Sequence, residues 1–240
     1  MKRIIPALFF LTIVLSSCHH FPGRGVQGSG TIIKQDRAIN GFENVEVNSA
    51  LDVFIKQDSS FEVKVEADNN LQEYIEVHKE GETLYISIRS NVSLEPSQKV
   101  KVYVSAPVYK LLKVSGASSL IKDGKISSDG VIDIEINGAS NADLDLKAPE
   151  VKIDLTGASS IALTGETRTF NVKGSGSSSI HCYGLQAENT DVDISGACDA
   201  DVYASVKLNA SASGASHVSY KGNATVTSNT SGASSMEKVQ

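Results

Sequence analysis

The 240-residue chain has no tryptophan, two methionines, three cysteines and five prolines, and only 6% of its residues are aromatic. A core built without large rings must use Val, Ile, Leu and Ala, which suits thin β layers stacked in quantity. Basic residues are also in the minority, with 22 Lys and Arg against 28 Asp and Glu. If the first residues are removed as a leader, Lys2 and Arg3 go with it, and 20 basic residues face 28 acidic ones, a charge of −8. Nucleic acid is thereby excluded as a partner, because phosphate binding needs a concentrated positive field. Catalytic signatures are missing as well: no P-loop, no HExxH and no Gly-x-Ser-x-Gly elbow occurs. Ser119–Lys122 and Ser235–Lys238 spell SxxK, but the accompanying SDN and KTG elements are not there.

One long apolar run is present, from Ile4 to Leu15, preceded by Lys2 and Arg3 and followed by Ser16, Ser17 and Cys18. It is too short for a membrane span and reads as a secretory signal. Leu15 to Cys18 resembles a bacterial lipobox, which implies acylation of Cys18 and a membrane anchor of more than one chain. His19 rather than Asp follows the cysteine, and no acidic run comes after it. The expected location is therefore the outer membrane, facing the periplasm, with the cell surface as the alternative.

Between residues 115 and 235 one short word recurs seven times: SGASS at Ser115, NGASN at Asn137, TGASS at Thr156, SGSSS at Ser175, SGACD at Ser195, SGASH at Ser213 and SGASS at Ser231. The central glycines, Gly116, Gly138, Gly157, Gly176, Gly196, Gly214 and Gly232, are 18 to 22 residues apart, one coil of a β-solenoid. Before each glycine an apolar strand recurs, as in Ile132, Ile134 and Ile136 or Val151, Ile153 and Leu155. Four residues after it stand Leu120, Ala142, Ile161, Ile180, Ala200, Val218 and Met236, the inward side of a second strand. The small word between them is a corner, in which Gly takes positive φ, Ala fills a narrow inner angle and Ser bonds turn backbone groups. Gly124, Gly165, Gly184 and Gly222, eight residues after the first glycine of their coils, mark a second corner.

The expected fold is all-β, a parallel β-solenoid of about seven such coils. It divides into a signal at 1–18, a linker at 19–27, a β-rich region at 28–106 and the repetitive array at 107–240, starting at Pro107. The 28–106 region shows period-two alternation, as in Leu51, Val53 and Ile55 or Val100, Val102 and Val104, without the corner words. Asp68 is expected to cap a single helical turn carrying Leu71, Tyr74 and Ile75. Cys182 and Cys198 fall in different columns and are expected to be unpaired.

Candidate chemistry is sparse. His78, His181 and His217 are isolated in sequence, and the adjacent His19 and His20 make a poor structural site, so no metal and no cofactor is assigned. Asp143 with Asp145, Asp191 with Asp193, and Asp199 with Asp201 place carboxylates in pairs on the outer side of a strand, where they keep a sheet-rich surface soluble. Tyr183 and Tyr203 share an outward column one coil apart, so stacked rings there would offer a platform to a sugar or protein partner.

The lipobox, the run GFENVEVNSALDVFIKQ from Gly41 to Gln57, the run from Phe61 to Val77 and the recurring corner words together resemble the putative autotransporter adhesin head GIN domain family of Bacteroidota envelope proteins. The resemblance implies a solenoid-like, all-β envelope lipoprotein and supplies no catalytic residue. Asn48, Ser49 and Ala50 stand where the small-Gly-Ala word is expected in the first segment. The leading expectation is a non-catalytic, lipid-anchored module presenting its faces to a glycan or an envelope protein. The alternatives are a β-helix polysaccharide lyase and a structural protein whose coils stack into assemblies.

Overall fold

The computed structural model describes residues 25–240, so the leader, the lipobox with Cys18 and most of the linker lie outside the described residues. The fold is the expected one: an all-β solenoid of about seven turns with a curled mixed sheet on its N-terminal side. Each coil has two inward-packed strands meeting at the glycine corner. On the first face, Thr83–Ile88, Asn44–Val47, Leu111–Val114 and Val131–Ile136 lie side by side in parallel. Above them follow the later halves of Asn141–Leu155, Ser160–Gly174 and Ser179–Gly196, then Lys207–Gly214 and Thr225–Thr230. The second face stacks Lys101–Ala106, Asp52–Gln57 and Ser119–Ser127, the first halves of the three long strands, then Asp199–Tyr203, His217–Lys221 and Ser235–Lys238.

Spatial order departs from chain order at the base. The chain lays down the Asn44–Gln57 coil, descends to build the Thr83–Ala106 coil beneath it, and climbs back to place Leu111–Val114 on Asn44–Val47. Antiparallel strands close this lower end: Ile32–Asp36 pairs with Glu62–Asp68, which pairs with Lys101–Ala106, while Ile75–Glu80 pairs with Thr83–Ile88. Closing the stack with strands of reversed sense satisfies the backbone groups that a bare parallel edge would expose. A separate short pair, Gly25–Gln27 with Ser93–Glu95, ties the start of the described chain to this base.

The core is one continuous apolar column inside the coils. Ile132, Ile134, Ile136, Leu120, Leu144 and Leu146 are fully buried. On the first face the inward residues can be followed from coil to coil: Ile132, Ile134 and Ile136 lie under Val151, Ile153 and Leu155, then Phe170, Val172 and Gly174. Thr190, Val192 and Ile194 come next, followed by Leu208, Ala210 and Ala212, and finally Val226, Ser228 and Thr230. The last two described coils thus carry smaller or more polar residues on this side than the Ile132 and Val151 coils do.

The corner works differently from the sequence reading in one respect. Ala117, Ala139, Ala158, Ala197 and Ala215 are exposed, and the serine after them points inward instead, with Ser118, Ser140, Ser159, Ser178 and Ser216 buried. The reason is polar: at Ser159, Ser178 and Ser216 the inward hydroxyl closes the turn on a carbonyl three residues back, Oγ donating to Thr156 O at 2.8 Å, Ser175 O at 3.1 Å and Ser213 O at 2.9 Å respectively. An alanine there would leave that carbonyl without this donor. The glycines all take φ between +76° and +96°. Their carbonyls accept from the next coil, as Gly138 O does from Ala158 N at 2.8 Å. A Cβ on Gly157 would lie 2.6 Å from that same Gly138 oxygen, so glycine is required by both conformation and approach.

Ser49 occupies the glycine position of an earlier corner. Its φ is +96°, Ser115 N donates to Val47 O, and Ser118 Oγ donates to Ser49 O, so Asn48, Ser49 and Ala50 seat the first SGAS word directly. Gly124, Gly165 and Gly222 also take positive φ, whereas Gly184 does not. Asp68 does not cap the helical turn, which is a 3-10 turn at Gln72–Tyr74 with no side-chain cap. Its buried carboxylate instead accepts from Gly30 N at 2.7 Å, Ser97 N at 2.9 Å and Ser97 Oγ at 2.7 Å. Burial by itself would raise this carboxyl, but the hydrogen bonds outweigh it and hold it below the ordinary carboxylate range. Cys182 and Cys198 are both buried and unpaired, and Cys198 Sγ takes the serine role, 3.2 Å from Ser195 O.

Candidate functional site

The coils turn from second face to first across a polar side, where a column of outward residues runs along the stack: Ser127, Lys147, Glu166 and Gln186 sit in register from coil to coil. Beside them lies an open trough of about 510 Å³ lined by Lys147, Glu166, Arg168, Gln186, Glu188 and Tyr203. A second hollow of about 760 Å³, containing Pro107, Val108, Val131, Asp133 and Lys152, shares Ser128 and Asp129 with it, so the two form one groove over the 127–130 loop. With coils about 4.8 Å apart, the part from Ser128 to Ser205 extends roughly 20 Å along the axis. Gln57 fixes the loop that divides the groove, its Oε1 accepting from Ser127 N and its Nε2 donating to Ser127 O and Pro107 O, each at 2.8 Å.

The charges in the groove are mixed. Lys147 pairs with Glu166 at 3.4 Å and Lys152 with Glu150 at 3.4 Å, while Arg168 has no ion pair among the described residues. Burial, with Glu135 adding to it, raises the Asp133 carboxyl above its ordinary value. Val108 and Val131 are 39% and 38% exposed and give the lower hollow an apolar floor. Chemically, the groove offers one aromatic face, a guanidinium, an amide and several carboxylates, a set suited to hydroxyl groups and sugar rings.

The two tyrosines singled out in the sequence are not brought together. The register moves by one residue between Ala162 and Thr164, so the Ser179–Gly196 coil bulges at Cys182 and Tyr183, and its pairing with the next strand on that face ends at His181–Asp201. Tyr183 therefore lies with the Lys221 ammonium 5.1 Å from its ring centre, whereas Tyr203 lies against the backbone of Gly222 and lines the trough. The aromatic pairs among the described residues are elsewhere, Phe42 with Phe61, Phe54 with Tyr103 and His78 with Tyr85.

Several of the remaining candidates are engaged by neighbouring side chains. Asp143 pairs with Lys122 at 2.7 Å and Asp145 with Lys125 at 3.5 Å. Asp191 accepts from Asn209, and Asp201 lies 3.0 Å from His181 Nδ1. His217 contacts Ser235 at 2.7 Å and Ser219 at 3.0 Å. Among the described residues no group of three or more His, Cys, Asp or Glu is placed to hold a metal. Sequence reasoning missed Arg168, Gln186 and Glu188, which are ordinary polar strand residues until stacking sets them beside Tyr203.

The family model described as "Putative auto-transporter adhesin, head GIN domain" matches residues 41–224. Solved structures share the fold. A putative adhesin from Bacteroides fragilis is 20% identical with a TM-score of 0.85, covering 90% of this chain and 100% of its own. A protein from Parabacteroides distasonis named a putative lipid binding protein is 21% identical with a TM-score of 0.75, at 90% and 100% coverage. A putative adhesin from Parabacteroides merdae is 19% identical with a TM-score of 0.73, covering 90% of this chain and 99% of its own. No curated protein matches.

Proposed function

Since the chain belongs to the family of the adhesin head GIN domain, we propose that it is a non-catalytic binding module of the cell envelope that holds an extended glycan in the groove along its polar side. The observation that carries this reading is Tyr203 set beside Arg168, Gln186 and Glu188 in a trough that is open along the solenoid axis. A ring can stack on the tyrosine while the planar guanidinium, amide and carboxylate bond hydroxyls in succession along the chain. Stable anchoring by acylated Cys18 would then hold the module on the outer membrane, facing the periplasm. The name of the Parabacteroides distasonis protein suggests lipid as another ligand class; the charged lining of the trough favours a hydroxyl-rich ligand over an acyl chain.

The test is binding of the purified chain to a broad array of envelope and host glycans, followed by titration of any hit against a Tyr203→Ala/Arg168→Gln variant and a Tyr183→Ala variant. Loss of affinity of about tenfold or more in the first, with the second close to unsubstituted, is expected from one stacking contact and one charged hydrogen bond. Saturable binding that the double variant leaves unchanged would move the site off this groove, and the absence of any glycan ligand would favour a protein partner.

A further inference from the structure

The lower hollow of the groove differs in chemistry from the trough around Tyr203. Val108 and Val131 are 39% and 38% exposed and lie with Pro107 in its lining, so an apolar floor is left open to solvent. Two residues beyond Val131, on the same outward side of the strand, stands Asp133. Half-buried Leu111 flanks Asp133 in the coil below, and Lys152 flanks it in the coil above.

Asp133 makes no ion pair among the described residues. The ammonium groups of the hollow are drawn to other carboxylates, Lys110 to Glu43 and Lys152 to Glu150 at 3.4 Å. Asp133 therefore loses water to Leu111 and the valines without gaining a counter-ion, which is why burial raises its carboxyl above the ordinary value. A donor from a ligand gains more at such an acceptor than at a solvated one. Charge restricts that ligand further. Asp129 and Asp133 oppose an anion, Lys110 and Lys152 oppose a cation, and all four line the hollow. What remains complementary is a neutral group that donates one hydrogen bond, accepts another and ends in a methyl. A secondary amide closed by a methyl has all three; a hydroxyl has no methyl, and an acyl chain has no donor.

Building on the glycan reading of the groove, we infer that the lower hollow is a subsite for the acetamido group of an N-acetylated sugar, so that the glycan held along the groove is an N-acetylhexosamine chain. Its N–H donates to Asp133, its carbonyl accepts from Lys152, and its methyl rests on Val108 and Val131. The volume of about 760 Å³ takes a sugar ring with its substituent. Because the hollow shares Ser128 and Asp129 with the trough, the same chain can continue towards Tyr203.

The test is calorimetric titration of the purified chain with matched tetra- to hexasaccharides of β-linked N-acetylglucosamine and of β-linked glucose, together with the deacetylated amine series. The acetylated series should bind about tenfold or more tighter than the glucose series, from one covered methyl and one hydrogen bond to a charged acceptor. Val108→Thr/Val131→Thr and Asp133→Ala should each cut that ratio about threefold or more, whereas Tyr203→Ala/Arg168→Gln should weaken both series and leave the ratio in place. Since both series are read on one preparation, a partial loss of folded protein does not move the ratio. Equal binding of the acetylated and glucose series, or a ratio that both lower-hollow variants leave unchanged, would overturn the acetamido subsite and leave the groove as a glycan site. Tightest binding of the amine series would overturn it by making Asp133 the partner of a cation. Binding of none of the three would overturn it as well, and the broad glycan array then decides on the groove by itself.

Discussion

At the scale of single residues the corner glycines distinguish two demands that usually coincide. Gly157 has a φ of +87° and a neighbouring carbonyl oxygen 2.6 Å from where a Cβ would sit, whereas Gly124 has a φ of +102° and nothing within 4 Å. Gly124→Ala should therefore lose only the left-handed conformational cost, about 1 kcal/mol. Gly157→Ala must also push apart two coils and should lose ~3 kcal/mol. Urea unfolding of the two variants measures the difference, and equal losses would show that close approach is not what fixes these glycines. Cys198 offers the complementary case: its thiol already occupies the serine position, facing Ser195 O, so Cys198→Ser should change stability by less than about 1 kcal/mol in the same assay.

At the scale of elements, the antiparallel base and the parallel array are joined by different chemistry. The array is held by repeated coil-to-coil bonds, while the base depends on single side chains that bridge distant segments, Asp68 above all, with its bonds to Gly30 and Ser97. A carboxyl depressed in the folded state contributes stability that is complete above its unfolded value, near 3.8, and is lost as pH falls through the lower folded value. The chain should accordingly weaken at the base below about pH 4. In Asp68→Asn, the difference in unfolding free energy between pH 7 and pH 3 should shrink; an unchanged difference would remove Asp68 as an acid-sensitive tie.

At the scale of the whole molecule, the two ends of the stack are treated differently. The lower end is closed by reversed strands, and the upper end is blunted by composition, with Ser228 and Thr230 where lower coils carry Ile134, Ile136, Ile153 and Leu155. Polar inward residues reduce the gain from burying that edge against another sheet. Ser228→Ile/Thr230→Ile should therefore increase concentration-dependent association in light scattering relative to the unsubstituted chain. Hydrogen exchange should follow the same gradient, slowest in the coils of Val131–Ile136 to Ser179–Gly196 and fastest in Thr225–Thr230. Uniform protection along the stack would contradict it.

The period, the corners and the inward columns could be read from the sequence because parallel stacking sets each residue on its counterpart one coil below, so the contacts that hold the array appear as recurring letters. Ile132, Ile134 and Ile136 are buried for the reason their spacing suggests. Which of Ala and Ser faces inward was decided by tertiary structure, since the carbonyl that claims the serine hydroxyl exists only once the turn has closed. The same holds for the coil at Thr83–Ala106 passing beneath the one at Asn44–Gln57, where partners far apart in sequence determine the order. Tyr203 was visible as an outward aromatic, but its separation from Tyr183 follows from a one-residue bulge, and Arg168 and Gln186 acquire their surroundings from other coils. Local repetition fixed the architecture, because each coil makes the same bonds as its neighbours; the sites depend on where that repetition is interrupted, and such positions are defined only by the folded chain.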